Sequence, residues 1–229
     1  MNDDTIYLIN KIHSHCHEED LTFYIRPRSS DIPIVREVIR SKCYFGDGFL
    51  TIKQHDIVID VGAHIGTFSI LAASMGAAVI SYEPVTMNYL LLKNNVDLNE
   101  LPVTIYHAAI KEKNGKETIF IHAFNFGGSS FFHPNKDPDY QEEIVCITLA
   151  DAMQENHIDK IDFLKLDCED SELEILKFAK ERSILPKIRQ IAIEWIDLKR
   201  RQELLDLLDG YEIKEKGNDQ MGIILAKRK

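Results

Sequence analysis

VIDVGAHIGTFSI, residues 58–70, decides the fold. The run into Val61 is apolar apart from Asp60 and rich in β-branched residues, as in a strand buried on both faces. From Thr67 the pattern becomes helical and continues through LAASMG. Gly62 and Gly66 lie between, so the segment predicts strand, tight glycine turn and helix, with Gly76 as the helix stop. In an open parallel sheet, ligands bind beyond the carboxyl ends of the strands. There a glycine turn lets them approach the backbone and the helix start offers free N–H groups. The spacing here is G-x-x-x-G. It is neither the G-x-G-x-x-G of dinucleotide binding nor the G-x-x-x-x-G-K-[ST] of a phosphate loop, which points away from NAD and ATP and towards a ligand without pyrophosphate.

Working outward, AAVISYEP (77–84) reads as a second strand closed by Pro84, followed by a helix over 86–99. Further strands are predicted over 103–107, 161–167 and 188–195, with a helix from Ser171 to Lys180. Strands alternating with helices imply βαβ units and a parallel sheet covered on both faces. YEIKEK and MGIILAK flank Gly217-Asn218-Asp219 and predict a hairpin that brings antiparallel pairing to the sheet edge. Between the third and fourth strands, KETIFIHAF and EEIVCIT form an insertion near the expected binding edge, split by a Gly-Gly-Ser-Ser-Phe-Phe loop. Upstream, Ile6, Ile9 and Ile12, and then Ile34 to Ile39, recur at helical spacing and predict two helices bracketing LTFYIRP. The expected organisation is an N-terminal helical cap over 1–50 and a main domain over 51–229.

Composition narrows the function classes. With 45% hydrophobic and 28% charged residues the 229-residue chain is globular, and its length suits one principal domain. Lys and Arg number 27 against 37 Asp and Glu, a net charge of -10 that disfavours nucleic acid as a partner. Cys16, Cys43, Cys146 and Cys168 form no C-x-x-C pair and read as free thiols. The N-terminal stretch lacks the basic-then-apolar order of a signal peptide, and no apolar run of roughly 18 residues occurs. The expectation is a cytoplasmic protein without a membrane partner; a homo-oligomer is left open.

Glu83 ends the second strand about 20 residues past the glycine turn, where nucleoside-binding folds place the carboxylate that takes both ribose hydroxyls. Such a carboxylate repels a 2'-phosphate, so the ligand expected is adenosine-like, and S-adenosylmethionine fits. A second constellation, Asp167, Glu169, Asp170 and Glu172, follows the fourth strand and crowds like charges that shift one another's pKa. Ser171 with Glu174 reads as a capping box for the next helix. His64, inside the glycine turn, is placed to touch a ligand. The histidines show no metal-ligand spacing, and no metal is assigned.

The segments VIDVGAHIGTFSILAA, YEPVTMNYLLLKNNVDLN, HAAI, GGSSFF and DFLKLDCEDSELEIL together resemble the FkbM family of S-adenosylmethionine-dependent methyltransferases over residues 55–180. The resemblance implies a Rossmann-like class I methyltransferase: an α/β fold with a seven-stranded, mostly parallel sheet, an antiparallel edge strand and helices on both faces. It implies O-methylation of a small-molecule or glycosyl acceptor, with S-adenosylmethionine as cofactor. Asp60, Gly62 and Gly66 match the family's first cofactor motif, Glu83 its ribose-binding acid, and Ala108 and Ala109 the strand end beside the adenine. Asp167 and Glu169 match the D-x-E of its D-x-E-G-x-E, while Asp170 stands where the family has glycine.

Methyl transfer to an alcohol needs the acceptor held in line and its proton removed. Asp167 is the first candidate for that base, or else a partner for the cofactor's ammonium, and Glu194 at the end of IAIEWI is the second. Tyr24, Arg26, Arg28, Ser30 and Asp31 belong to the cap that closes over the cofactor in this fold, the arginines being suited to a carboxylate or phosphate. Phe124, Phe126, Phe131 and Phe132 are candidates for the wall of an acceptor pocket. RNA methylation and a non-catalytic nucleotide-binding protein of the same fold are the alternatives.

Overall fold

The computed structural model describes residues 8–13, 20–27, 29–121, 140–168 and 171–229. The first described element is β1 (Leu8–His13), paired antiparallel with β2 (Asp20–Ile25). This corrects the first of the two helices expected in the cap. Isoleucine is β-branched and prefers extended backbone, and a short isolated helix is marginal in water. Pairing from Leu8 opposite Ile25 to His13 opposite Asp20 supplies a ladder instead. The second expected helix forms as α1 (Asp31–Arg36), which runs into a π turn over Glu37–Ser41 and a 3-10 turn over Cys43–Phe45.

The main domain then unfolds much as the pattern predicts. Strand β3 (Ile57–Val61), helix α2 (Thr67–Ser74), strand β4 (Ala78–Tyr82), helix α3 (Thr86–Asn99) and strand β5 (Val103–Tyr106) make two βαβ units. Gly76, at φ +85°, ends the α2 region as expected. The insertion builds its own sheet from β6 (Ala109–Lys111), β7 (Gly115–Ile121) and β8 (Tyr140–Thr148), in the order β6-β8-β7. The Gly-Gly-Ser-Ser loop and the four phenylalanines assigned to an acceptor pocket lie outside the described residues. After α4 (Leu149–Glu155) come β9 (Phe163–Leu166), α5 (Glu172–Glu181), β10 (Gln190–Trp195), α6 (Leu198–Leu207) and the hairpin β11 (Tyr211–Gly217) with β12 (Gly222–Arg228). Helices α4 and α6 were not anticipated. Within α6 only Leu204 is buried, so its apolar stripe is too thin to read.

The seven strands of the main sheet run in the order β11-β12-β10-β9-β3-β4-β5. From β10 to β5 all pairings are parallel, while β12 is antiparallel to β10 and β11 to β12. One core fills each face. Neighbours on β3 alternate between them, Val58 joining Phe68, Phe163 and the cap residues Phe23 and Phe45, and Ile59 joining Leu164, Leu176 and Ile191.

Two asparagines of NNVDLN fix the cap to this domain. Asn99 and Asn95 accept from the backbone N–H groups of Thr22 and Tyr24 on β2 at 3.0 and 2.6 Å. Their amides donate to the carbonyls of the same residues at 2.7 and 3.2 Å. Helix α3 thus stands in for a neighbouring strand, satisfying backbone groups that an edge leaves open. Asn95 also donates to the Ile65 carbonyl at 2.8 Å, which joins the cap to the glycine turn.

Candidate active site

The carboxyl ends of β3, β4, β9 and β10 open into a cavity of about 340 Å³, roofed by Ser30, Ile34, Val38 and Tyr44 of the cap. The glycine turn makes its floor. Gly62 sits at φ +75°, and a Cβ there would lie 1.8 Å from the Asp167 carbonyl oxygen, so only glycine lets β3 and β9 converge at this point. Gly66 is at φ +88° and its Cβ would meet Leu92 at 2.4 Å. Between them His64 takes φ +53°.

Glu83 is 3% exposed, facing the cavity at the end of β4. Its Oε2 accepts from the His64 backbone N–H at 2.8 Å, and its Oε1 accepts from Val85 N at 2.9 Å and Asn88 Nδ2 at 3.1 Å. Burial pushes its pKa up to about 7, the three donors offsetting only part of that cost. Asn88 in turn accepts from Arg26 at 2.8 Å. Arg26, although expected to face a ligand anion, is 6% exposed and closes on Asp31 with Nε–Oδ2 and NH2–Oδ1 separations of 3.0 and 2.8 Å. Arg28 lies outside the described residues.

At the other end, Lys165 enters beneath the turn and is 3% exposed. Its Nζ lies 2.9 Å from Asp60 Oδ1, 2.9 Å from the Gly62 carbonyl and 3.6 Å from Asp167 Oδ2. Burial alone would depress its pKa, but the charges of Asp60 and Asp167 raise it well above the ordinary lysine value. Tyr44 donates its hydroxyl to Asp167 Oδ2 at 2.6 Å. Burial opposes ionisation of Asp167, yet Lys165, a hydrogen bond with Glu194 and the Tyr44 hydroxyl together hold its pKa below the usual value.

Of the residues predicted from sequence, Gly62, His64, Glu83, Ala109, Asp167 and Glu194 line the cavity. Asp60, Gly66 and Ala108 do not. Asp60 is fully buried behind the turn, where it accepts from Ser69 Oγ at 2.5 Å and from Lys165 and so ties α2 and the lysine to β3. Glu169 and Asp170 lie outside the described residues. The capping box also needs correction: Ser171 makes no side-chain cap, because its Oγ accepts from the buried Lys111 Nζ at 3.1 Å. Glu172 instead reaches back to the Cys168 N–H at 2.6 Å. Sequence reasoning missed Lys165, Tyr44, Thr67 and Asn88. A lysine inside the apolar run IDFLKLD was a readable sign of a buried ion pair. Tyr44 gave none, since its partner is 123 residues away.

The methyltransferase FkbM domain matches residues 60–218, a span that takes in the glycine turn, Glu83, Asp167 and Glu194. The chain belongs to the FkbM methyltransferase family. It is 26% identical over 212 residues to 31-O-demethyl-FK506 methyltransferase FkbM of Streptomyces tacrolimicus, covering 78% of this chain and 80% of that one. It is 24% identical over 253 residues to methyltransferase sdnD of Sordaria araneosa, covering 91% and 94%. Among solved structures, the 16S rRNA N2 G1207 methyltransferase RsmC of T. thermophilus, in complex with AdoMet and guanosine, superposes with a TM-score of 0.52 at 13% identity. That likeness covers 97% of this chain and 51% of the other, and it is one of fold alone. Among the described residues no group of three or more His, Cys, Asp or Glu is placed to hold a metal ion, and no helix is long and apolar enough to cross a membrane.

Proposed function

We propose that the protein binds S-adenosylmethionine and transfers its methyl group to a hydroxyl oxygen of a small-molecule or glycosyl acceptor. The observation that carries this reading is the pair of carboxylates, Glu83 and Asp167, facing one cavity from strand ends on either side of the glycine turn. Glu83, its side chain fixed by three N–H donors, is the group to accept from two ribose hydroxyls. Gly62 gives close access to the backbone, and Ala109 and Ile110 offer apolar surface for a purine. When bound, S-adenosylmethionine supplies an electrophilic methyl group on a sulfonium.

The protein's share of the chemistry is orientation and removal of one proton. Asp167, ionised beside Lys165, is the proton acceptor. Asp167 is a weak base. It therefore accepts the proton late, once the acceptor oxygen has begun to bond carbon and its hydroxyl has become acidic. The O-methyl relative FkbM supports an oxygen acceptor. A cavity lined by Glu37, Glu83, Asp167 and Glu194, in a chain of net charge -10, favours a neutral or cationic acceptor over RNA.

Calorimetric titration of S-adenosylmethionine and S-adenosylhomocysteine, with NAD and ATP as controls, tests the cofactor. Saturable binding of the first two that is lost in Glu83→Ala is expected. Absence of binding to the wild-type protein overturns the reading. Transfer of labelled methyl to hydroxylated acceptors, abolished in Asp167→Asn, tests the chemistry.

A further inference from the structure

Exposure marks where the cavity opens. Among the described residues that line it, only Glu37 and Met221 are exposed, the first on the π turn of the cap and the second just before β12, so the mouth lies between the cap and the β11–β12 hairpin. Glu194 pairs in register with Ile223 of β12, and Tyr44 of the cap meets Asp167, so both carboxyl groups lie at this end. The turn that presents Met221 is fixed. Asn218 Oδ1 accepts from the backbone N–H groups of Gln220 and Met221 at 2.8 and 3.1 Å, and the Asn218 N–H donates to the Met221 carbonyl at 3.0 Å.

Apolar surface continues outward from that mouth. Five large apolar side chains are exposed among the described residues, and three of them, Ile196 at 41%, Leu198 at 52% and Met221 at 49%, fall here. Trp195 at the end of β10 pairs with Gly222, so Ile196 and Met221 are the next residues outward on the two chains, and Leu198 opens α6 two residues later. Exposed apolar residues scattered singly need no explanation; grouped at the mouth of a cavity, they mark a surface that something apolar covers.

Size and charge choose the occupant. Three side chains offer at most a few hundred Å², far below the roughly 1,200–2,000 Å² that a stable protein interface buries, and a second copy seated here would close the mouth. Lys199, Arg200 and Arg201 follow Leu198, but the two arginines are engaged by Glu174, Asp197 and Glu215, and a net charge of -10 opposes an anionic membrane surface. A single hydrocarbon chain fits the strip. At its inner end Glu37, Asp167 and Glu194 disfavour an anionic head group, and Lys165 is already engaged by Asp60 and Asp167. We propose that the acceptor is an amphiphile, with a non-anionic hydroxylated head that reaches Asp167 and a hydrocarbon chain that leaves the cavity across Met221, Ile196 and Leu198, an inference that rests on the methyl-transfer reading above.

The test uses the β-glucosides of methyl, butyl and octyl alcohol as probes, below micelle-forming concentrations. Each is titrated by calorimetry into wild type saturated with S-adenosylhomocysteine, and likewise into Leu198→Ser, Met221→Ser and Val145→Ser, all checked for wild-type melting. Val145 is 48% exposed on β8 and does not line the cavity. Octyl glucoside is expected to bind about 10- to 100-fold more tightly than butyl glucoside, from about two- to threefold for each CH₂ laid on a half-exposed surface. Leu198→Ser and Met221→Ser each lower that ratio by about three- to tenfold and leave the affinity for S-adenosylhomocysteine unchanged, while Val145→Ser keeps the wild-type ratio. A ratio near one in wild type, or one that the two mouth variants leave as it is, overturns the proposal and spares the cofactor reading. So does a wild-type dimer in sedimentation that Met221→Ser dissociates, or flotation with phosphatidylcholine–phosphatidylserine vesicles that Leu198→Ser abolishes, since the patch then serves a second copy or a membrane. If wild type does not bind S-adenosylhomocysteine, the cofactor reading fails and the proposal falls with it.

Discussion

Glu83 and Asp167 end the strands on either side of β3 and face the same cavity, yet their acidities move in opposite directions. Burial carries Glu83 up to about 7, and Asp167 is held below the ordinary carboxylate value. Both accept hydrogen bonds, so donors alone do not make the difference. Lys165 does. Its ammonium is 3.6 Å from Asp167 and is the strongest influence lowering that pKa, whereas it is the weakest of the influences on Glu83, whose network meets Arg26 through Asn88 while Arg26 is paired with Asp31. N–H dipoles soften the cost of burying a charge; an adjacent cation reverses it. Two carboxylates with separated acidities in one cavity suit two tasks: one binds hydroxyls and adjusts its protonation near neutrality, and the other stays charged to receive a proton.

Removing the cation breaks the comparison most severely. Lys165→Met leaves Asp60 fully buried without its ion pair and deprives Asp167 of the charge that keeps it ionised. Urea unfolding is expected to show a loss of about 3–5 kcal/mol, the usual cost of stripping one partner from a buried pair. In whatever fraction remains folded, carbon-detected NMR of the aspartate carboxyls should find Asp167 titrating upward, towards Glu83. Stability close to wild type would mean that Asp60 is satisfied by Ser69 alone.

The Glu83 side is sharpened by its ligand. Glu83→Gln keeps the shape but removes the charge, and is expected to weaken S-adenosylhomocysteine about 10- to 100-fold. The same carboxylate predicts a pH dependence. Its folded pKa is raised, so the free protein favours the protonated form until pH passes about 7. Binding through ribose hydroxyls favours the ionised form. Affinity should therefore rise with pH, about tenfold from roughly pH 6 to pH 8, with proton release at the acid end of the range. The dependence should vanish in Glu83→Gln, and a flat wild-type profile would show that Glu83 is ionised well below neutrality. Asp167 has the opposite sense: its depressed pKa adds stability above the ordinary carboxylate range, which is lost as the pH falls through the folded value.

What the sequence disclosed of this arrangement follows from how local each part is. The glycine turn was legible because Gly62, His64 and Gly66 are close in the chain and interrupt an apolar pattern. Glu83 and Asp167 were legible because a strand end can be read from where the apolar run stops. Ile6, Ile9 and Ile12 misled, since over so short a segment a helical spacing and β-branched composition point to different structures, and the ladder with β2 decided between them. Asp60 was legible as the one acid in the strand, but its lysine partner was not, since it comes from a strand 105 residues on. The cap's contributions were the least legible: Arg26 meets Asn88 and Tyr44 meets Asp167 across 62 and 123 residues of chain, contacts that no local pattern announces.

Tyr44 offers the finest adjustment of the comparison. It reaches Asp167 from the 3-10 turn of the cap, with its ring packed edge-on to Phe68 at 5.4 Å. Burial, reinforced by the charge of Asp167, pushes its phenol well above its ordinary value, so Tyr44 remains a donor wherever the protein is folded. Tyr44→Phe keeps the ring contact and removes only that donor. Stability should fall by about 1 kcal/mol, and the Asp167 pKa should rise by about one unit or less, which at 1.36 kcal/mol per unit is the smaller part of what Lys165 supplies. The acid limb of the methyl-transfer rate should move up with it, while S-adenosylhomocysteine affinity stays as in wild type. If Asp167 does not move, the cation alone separates the two carboxylates and the cap serves only to close the cavity. If it moves, the cap also helps set the acidity of the base, and docking of β2 becomes a condition for chemistry as well as for binding.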